Sequence, residues 1–88
     1  MEIGAEISLY PLAEDFGPRI KAFLDRLRAA GPFRVVTTSL STQIIGEYDA
    51  VLEALVREMR ATLAEDAEGA GAAKAVFIVK VFGPLAAP

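Results

Sequence analysis

The chain has 88 residues, a net charge of −3 and neither cysteine nor histidine. That length supports one domain, and the missing residue types exclude a disulfide framework, thiolate chemistry and histidine-based nucleophile activation. The acidic balance lacks the basic footprint of a nucleic-acid binder, while 53% hydrophobic residues leave a surplus that points to a subunit interface.

Residues 2–10 alternate, with Ile3, Ala5, Ile7 and Leu9 on one side and Glu2, Gly4, Glu6, Ser8 and Tyr10 on the other. Period two over this length predicts a half-buried strand, ended by Pro11, which cannot donate to a ladder. A helix follows, capped by Asp15, with Pro18 in its first turn and Phe16, Ile20, Phe23, Leu24 and Leu27 as its buried stripe. Lys21, Asp25, Arg26 and Arg28 take its wet side, and Gly31-Pro32 stops it. Residues 33–39 and 42–48 read as two strands joined near Leu40-Ser41. Gly46 lets the chain bend or another group approach the backbone. Asp49 is expected to cap a second helix. Its apolar stripe is Val51, Leu52, Leu55, Val56, Met59 and Leu63, with Glu53, Arg57, Glu58 and Arg60 solvated. Residues 64–73, with Gly69 and Gly71 among alanines, read as a loop, and 74–82 as the last strand.

The order βαββαβ predicts an α+β, ferredoxin-like sandwich. Its four-stranded antiparallel sheet has the order 4-1-3-2, with two helices on one face. Residues 1–83 form the single domain and 84–88 a C-terminal tail. The last strand is apolar on both sides, with Phe77, Val79 and Val81 against Val76, Ile78 and Phe82. A strand buried on both faces needs a second layer, so a homodimer or higher homo-oligomer is expected through the open sheet face. That face should carry Glu6, Ser8 and Tyr10, then Val35, Thr37 and Ser39, then Gln43, Ile45 and Glu47, then Val76, Ile78, Lys80 and Phe82. A register setting Glu6 against Lys80 would neutralise both charges.

No apolar run approaches the ~20 residues of a membrane-spanning helix. Met1-Glu2 opens a strand pattern rather than a signal peptide, so no membrane partner and a cytoplasmic location are expected. The adjacent carboxylates Glu14-Asp15 and Glu65-Asp66 fit helix capping and solvation better than metal binding, and no metal site or cofactor is expected. A lysine-activated serine, Lys80 with Ser8, is formally possible. The feature that stands out is Thr37-Thr38-Ser39-Leu40-Ser41-Thr42, five hydroxyls in six positions between Val35-Val36 and Ile44-Ile45. A solvated hairpin accounts for them; so does a small polar ligand.

Ser8-Leu9-Tyr10-Pro11-Leu12, then Asp15-Phe16 and Ile20-Lys21, then Ser41-Thr42 with Gly46 and Asp49, together resemble the YkoF family of thiamin/hydroxymethylpyrimidine-binding proteins. The segment Gly46-Glu47-Tyr48-Asp49 with Val51 is also similar to the related single-repeat thiamine-binding-like proteins. The resemblance implies ferredoxin-like repeats, two in tandem in the founding type and one here, and binding without catalysis. In the family an acidic residue precedes the Ser-Thr pair, where this chain has Thr38 or Ser39; Glu6 or Glu47 could take its place. An aminopyrimidine needs acceptors and donors, and a thiazolium favours an acidic or aromatic neighbour. The candidate ligand-binding set is therefore Glu6, Ser8, Tyr10, Thr37, Thr38, Ser39, Ser41, Thr42 and Glu47, with thiamin or its pyrimidine as partner. Two rivals remain: an interaction domain whose open sheet only makes the oligomer, and a small enzyme of the dimeric barrel kind.

Overall fold

The computed structural model describes residues 1–12, 16–38, 41–68 and 74–85. Six elements follow in the order β1 (Glu2–Leu12), α1 (Phe16–Ala29), β2 (Arg34–Thr37), β3 (Thr42–Glu47), α2 (Tyr48–Glu68) and β4 (Lys74–Phe82). The sheet order is β2-β3-β1-β4, antiparallel throughout. This is the expected βαββαβ, ferredoxin-like α+β sandwich.

Alternation in β1 turns Ile3, Ala5 and Ile7 to the helices. There they join Phe23 and Leu27 of α1, Ile44 of β3, and Val51 and Leu55 of α2 in one core. Phe23 and Phe77 meet tilted, with ring centroids 5.2 Å apart, so α1 is keyed to β4 through the core. Glu6 does stand opposite Lys80. The ammonium lies 4.0 Å from the carboxylate on one side, and the Gln43 amide donates from 3.5 Å on the other.

Five expectations need correction. First, β1 does not stop at Pro11, which pairs with Ala75. Pairing of β1 with β3 has already ended at Ile7 opposite Thr42, so Pro11 lies where one side of the strand has no ladder to supply. Second, β2 is one residue out of the expected phase. Val36 opposes Gln43 on the open face, while Val35 opposes Ile44 and Thr37 opposes Thr42 on the helix face. Third, α2 starts at Tyr48, so its cap is Glu47, whose carboxylate accepts from the Ala50 N–H at 3.0 Å; Asp49 already lies in the first turn.

Fourth, α2 runs on through residues expected to be loop, to Glu68. The rest of that loop, including Gly69 and Gly71, lies outside the described residues, as does the Asp15 cap. Fifth, the buried stripe of α2 turns through Val51, Ala54, Leu55, Glu58 and Thr62, leaving Val56 and Leu63 exposed. Glu58 is only 8% exposed. It accepts from Arg26 at 3.3 Å and Arg57 at 3.0 Å, and Arg26 also donates to the Thr62 hydroxyl at 2.7 Å. Arg26 and Glu58 thus join the helices, because a buried carboxylate persists only when paired.

Two glycines mark close approaches. A Cβ on Gly4 would sit 2.3 Å from the Phe82 ring, which lies across it on the open face. A Cβ on Gly46 would stand 3.0 Å from Phe33 and 3.2 Å from Val51, so Gly46 makes room for helix packing rather than for a ligand.

Candidate functional site

The lengths of the strands create the site. β1 is 11 residues long and β3 six, and they are paired at the far end, Glu2 against Glu47. Beyond Ile7, β1 continues beside β4 as far as Leu12, but no described strand pairs with its other edge. Residues 8–12 therefore border an open notch of about 490 Å³. Thr37, Thr38, Ser41 and Thr42 border one side, and Ile20, Phe23 and Leu24 in the middle of α1 cover it from above. Such a volume suits a small organic ligand.

One rim is polar. Ser8 and Tyr10 come from β1, Thr37 and Thr38 from the end of β2, and Ser41 and Thr42 from the start of β3. The other rim is apolar: Leu9, Pro11 and Leu12 of β1 with Ile20, Phe23 and Leu24 of α1. The hairpin is tied by its own hydroxyls. The Thr38 N–H donates to the Ser41 carbonyl at 2.9 Å, and the Thr38 hydroxyl bonds to the Ser41 carbonyl and accepts from the Ser41 N–H, each at 3.2 Å. Side-chain-to-backbone bonds of this kind stabilise a connection that lacks a glycine turn. Thr42 is buried and its hydroxyl lies 3.3 Å from that of Thr37, which also accepts from the Arg28 guanidinium at 2.9 Å. Among the described residues, the Ser8 and Tyr10 hydroxyls have no hydrogen-bond partner.

Six of the nine expected residues thus come together: Ser8, Tyr10, Thr37, Thr38, Ser41 and Thr42. Ser39 lies outside the described residues. Glu6 sits on the open face between Lys80 and Gln43, and Glu47 caps α2 at the opposite end of β3. The N–H groups of Ala50 and Asp49 hold the Glu47 carboxyl below its ordinary range, because they stabilise its charged form. Neither carboxylate borders the notch.

The apolar rim and Arg28 were not legible as site residues. Ile20, Phe23 and Leu24 have the three-four spacing of a core stripe, and part of that stripe overhangs an incomplete sheet. Arg28 was assigned to the wet side of its helix; its contact with Thr37 depends on the true phase of β2. Asp25 stands beside it, 3.7 Å from the guanidinium. The Asp25 carboxyl is itself held low, chiefly by the hydrogen bond from Lys21 at 2.7 Å.

No family model and no curated protein sequence matches this chain. Solved structures do match in fold. One, from Thermotoga maritima, is described as a "putative thiamine biosynthesis/salvage protein". It superposes with a TM-score of 0.78 at 14% identity, over 96% of this chain and 85% of that one. A hypothetical protein from Methanocaldococcus jannascii gives 0.77 at 19% identity, over 99% and 84%. A domain of unknown function, DUF77, from Bacillus cereus gives 0.74 at 17%, over 96% and 77%. At these identities the likeness establishes the ferredoxin-like fold.

Proposed function

We propose that this chain binds thiamin or its hydroxymethylpyrimidine moiety in the notch beside β1, without catalysis. The observation that carries the reading is the mixed lining, six hydroxyl-bearing residues bordering one notch of suitable volume together with the apolar residues of β1 and α1. A flat heteroaromatic ring with polar substituents at its edge matches that division. The description of the Thermotoga maritima neighbour and the resemblance of Ser8–Leu12 and Ser41-Thr42 to vitamin-binding proteins support the same ligand class.

Among the described residues no carboxylate lines the notch to grip the exocyclic amine. The acceptors on offer are hydroxyl oxygens and the main-chain carbonyls of the unpaired β1 edge, residues 8–12. The lining holds no lysine or arginine, and Arg28 at its margin already faces Asp25. The unphosphorylated vitamin is therefore preferred over the diphosphate. Nor do the described lining residues include a base to activate a hydroxyl, which favours holding a ligand over turning it over.

The open sheet face carries Tyr10, Val36, Val76, Ile78 and Phe82 exposed. Two copies packed through these faces would form the homo-oligomer and bury that surface.

A thermal-shift titration with thiamin, hydroxymethylpyrimidine and thiamin diphosphate tests the reading. Ligand at about 100 times its dissociation constant stabilises by ~2.7 kcal/mol, several degrees for a domain this small. Leu24→Trp, which fills the notch from the helix side, should abolish the shift while leaving a cooperative transition. If no compound at millimolar concentration moves the midpoint, the interaction-domain reading replaces this one. Tighter binding of the diphosphate would reverse the assigned preference.

A further inference from the structure

A hydroxyl can donate or accept, so a rim of hydroxyls is by itself indifferent to which edge of a ligand it meets. One pair on this rim is not indifferent. Thr37 ends β2 and Thr42 opens β3, directly opposite each other, with their hydroxyl oxygens 3.3 Å apart. From outside the notch, the Arg28 guanidinium donates to the Thr37 oxygen at 2.9 Å. Arg28 is not a lining residue. Asp25, one turn earlier on α1, stands 3.7 Å from its other terminal nitrogen, and Lys21 donates to Asp25 at 2.7 Å. The guanidinium thus has a carboxylate at one prong and the Thr37 hydroxyl at the other.

Between them the two threonine hydroxyls have two protons. One lies in the bond that joins them, and the other is left over. A guanidinium only donates, so Thr37 accepts from Arg28 and keeps its own proton to give. Accepting from a cation polarises the Thr37 O–H into a stronger donor and makes its oxygen a poorer second acceptor. The bond therefore runs from Thr37 to Thr42, and the proton left over is that of Thr42. Thr42 is 3% exposed, and among the described residues its hydroxyl has no partner besides Thr37. It is a buried donor at the wall of an open notch, where a ligand acceptor would satisfy it.

We propose that Arg28 is a positioning residue for the notch: by fixing the Thr37 hydroxyl as an acceptor, it makes the Thr42 hydroxyl a donor to a ring nitrogen of the ligand. The assignment rests on the notch holding an aminopyrimidine. Thr42 stands opposite Ile7, where pairing of β1 with β3 ends, so the free main-chain edge of β1 begins beside it. A donor at Thr42 next to a carbonyl of that edge matches a ring nitrogen next to an exocyclic amine. A ring with carbon in place of that nitrogen leaves the Thr42 proton unmet, and the site rejects it. Arg28 selects the ligand without touching it.

Calorimetry of the full chain tests this with two probes: hydroxymethylpyrimidine, and its analogue with CH in place of the ring nitrogen beside the amine. The native chain should bind the parent about 10-fold more tightly, one hydrogen bond gained against one buried donor left unmet. Arg28→Met keeps much of the side-chain length and removes the donors; Arg28 is half exposed, so the variant should fold. It should bind the analogue as the native chain does and the parent more weakly, which shrinks the preference to about twofold. In a Thr42→Val background, with no proton to present, adding Arg28→Met should change neither affinity. A merely structural role for Arg28 would lower both affinities together and act equally in both backgrounds. Either of those results overturns the inference, as does full discrimination in Arg28→Met or equal affinity of the native chain for the two probes; all of them leave the binding reading in place. A native chain that binds neither probe overturns both.

Discussion

The two ends of the sheet are built from the same strands and finish in opposite ways. At the Glu2–Glu47 end everything is closed. Phe33 packs over Gly46, the Tyr48 N–H donates to the Met1 carbonyl at 2.9 Å, and the Leu85 N–H donates to the Glu2 carbonyl at 2.8 Å. At the Leu12 end β1 outruns β3, and the space that a longer hairpin would fill is left to hydroxyls and to the underside of α1. A mismatch in strand length is therefore enough to make a binding-sized notch. It needs no loop insertion and no distortion of the core.

Substitutions at the two ends should separate support from binding. The largest effect is expected at Phe23, fully buried and shared by the core and the notch wall. Phe23→Ala should cost ~3–5 kcal/mol, enough to unfold much of the population, as chemical denaturation would register. If it proves mild, the notch floor is softer than its burial implies. At the closed end Gly46→Ala presses a methyl against Phe33 and Val51. A loss of about 1–3 kcal/mol is expected in the same measurement, with ligand affinity unchanged once the protein is folded.

Thr42→Val keeps the shape and removes the buried hydroxyl that pairs with the exposed Thr37. Stability should fall by ~1 kcal/mol. A fall in thiamin affinity beyond that, read by calorimetry, would place the hydroxyl on the ligand. A change in stability alone would assign it to the hairpin. The smallest effect is expected from Glu47→Gln, which weakens the α2 cap far from the notch. The folded-state pKa of Glu47 is depressed, so its contribution is present above the unfolded pKa and is lost as pH falls through the folded value. The native chain should therefore lose slightly more thermal stability on acidification than the variant, and the two should differ most at neutral pH. Identical acid profiles would remove the carboxylate from the account.

The closed end was the more legible of the two. Strict alternation in Ile3–Leu9 named the inward face of β1, and the opposed signs of Glu6 and Lys80 gave the β1–β4 register. Hydroxyls in the connection did draw attention to the notch. Its shape stayed hidden, because it depends on where pairing stops, and Pro11 looked like the end of a strand that continues. The phase of β2 was misread because Val35-Val36 and Thr37-Thr38 are doublets, which fit either phase. Glu58 was misplaced because nothing local shows that Arg26, 32 residues earlier, will neutralise it.

The inner position of β1 has one more consequence. It is bordered by β3 on one side and by β4 on the other, and Gly4 faces Phe82. A chain emerging from the ribosome holds its first strand long before either neighbour exists. It can acquire β3 while the rest is being made, but the four-stranded sheet cannot be completed until residue 82 has been synthesised. Contacts of such long sequence separation slow folding and extend the time for which apolar strands lie uncovered. During that interval the inward residues Ile3, Ala5 and Ile7 are half-sheltered at best. The nascent chain, rather than the finished domain, is where this topology is most exposed to aggregation or to capture by a chaperone.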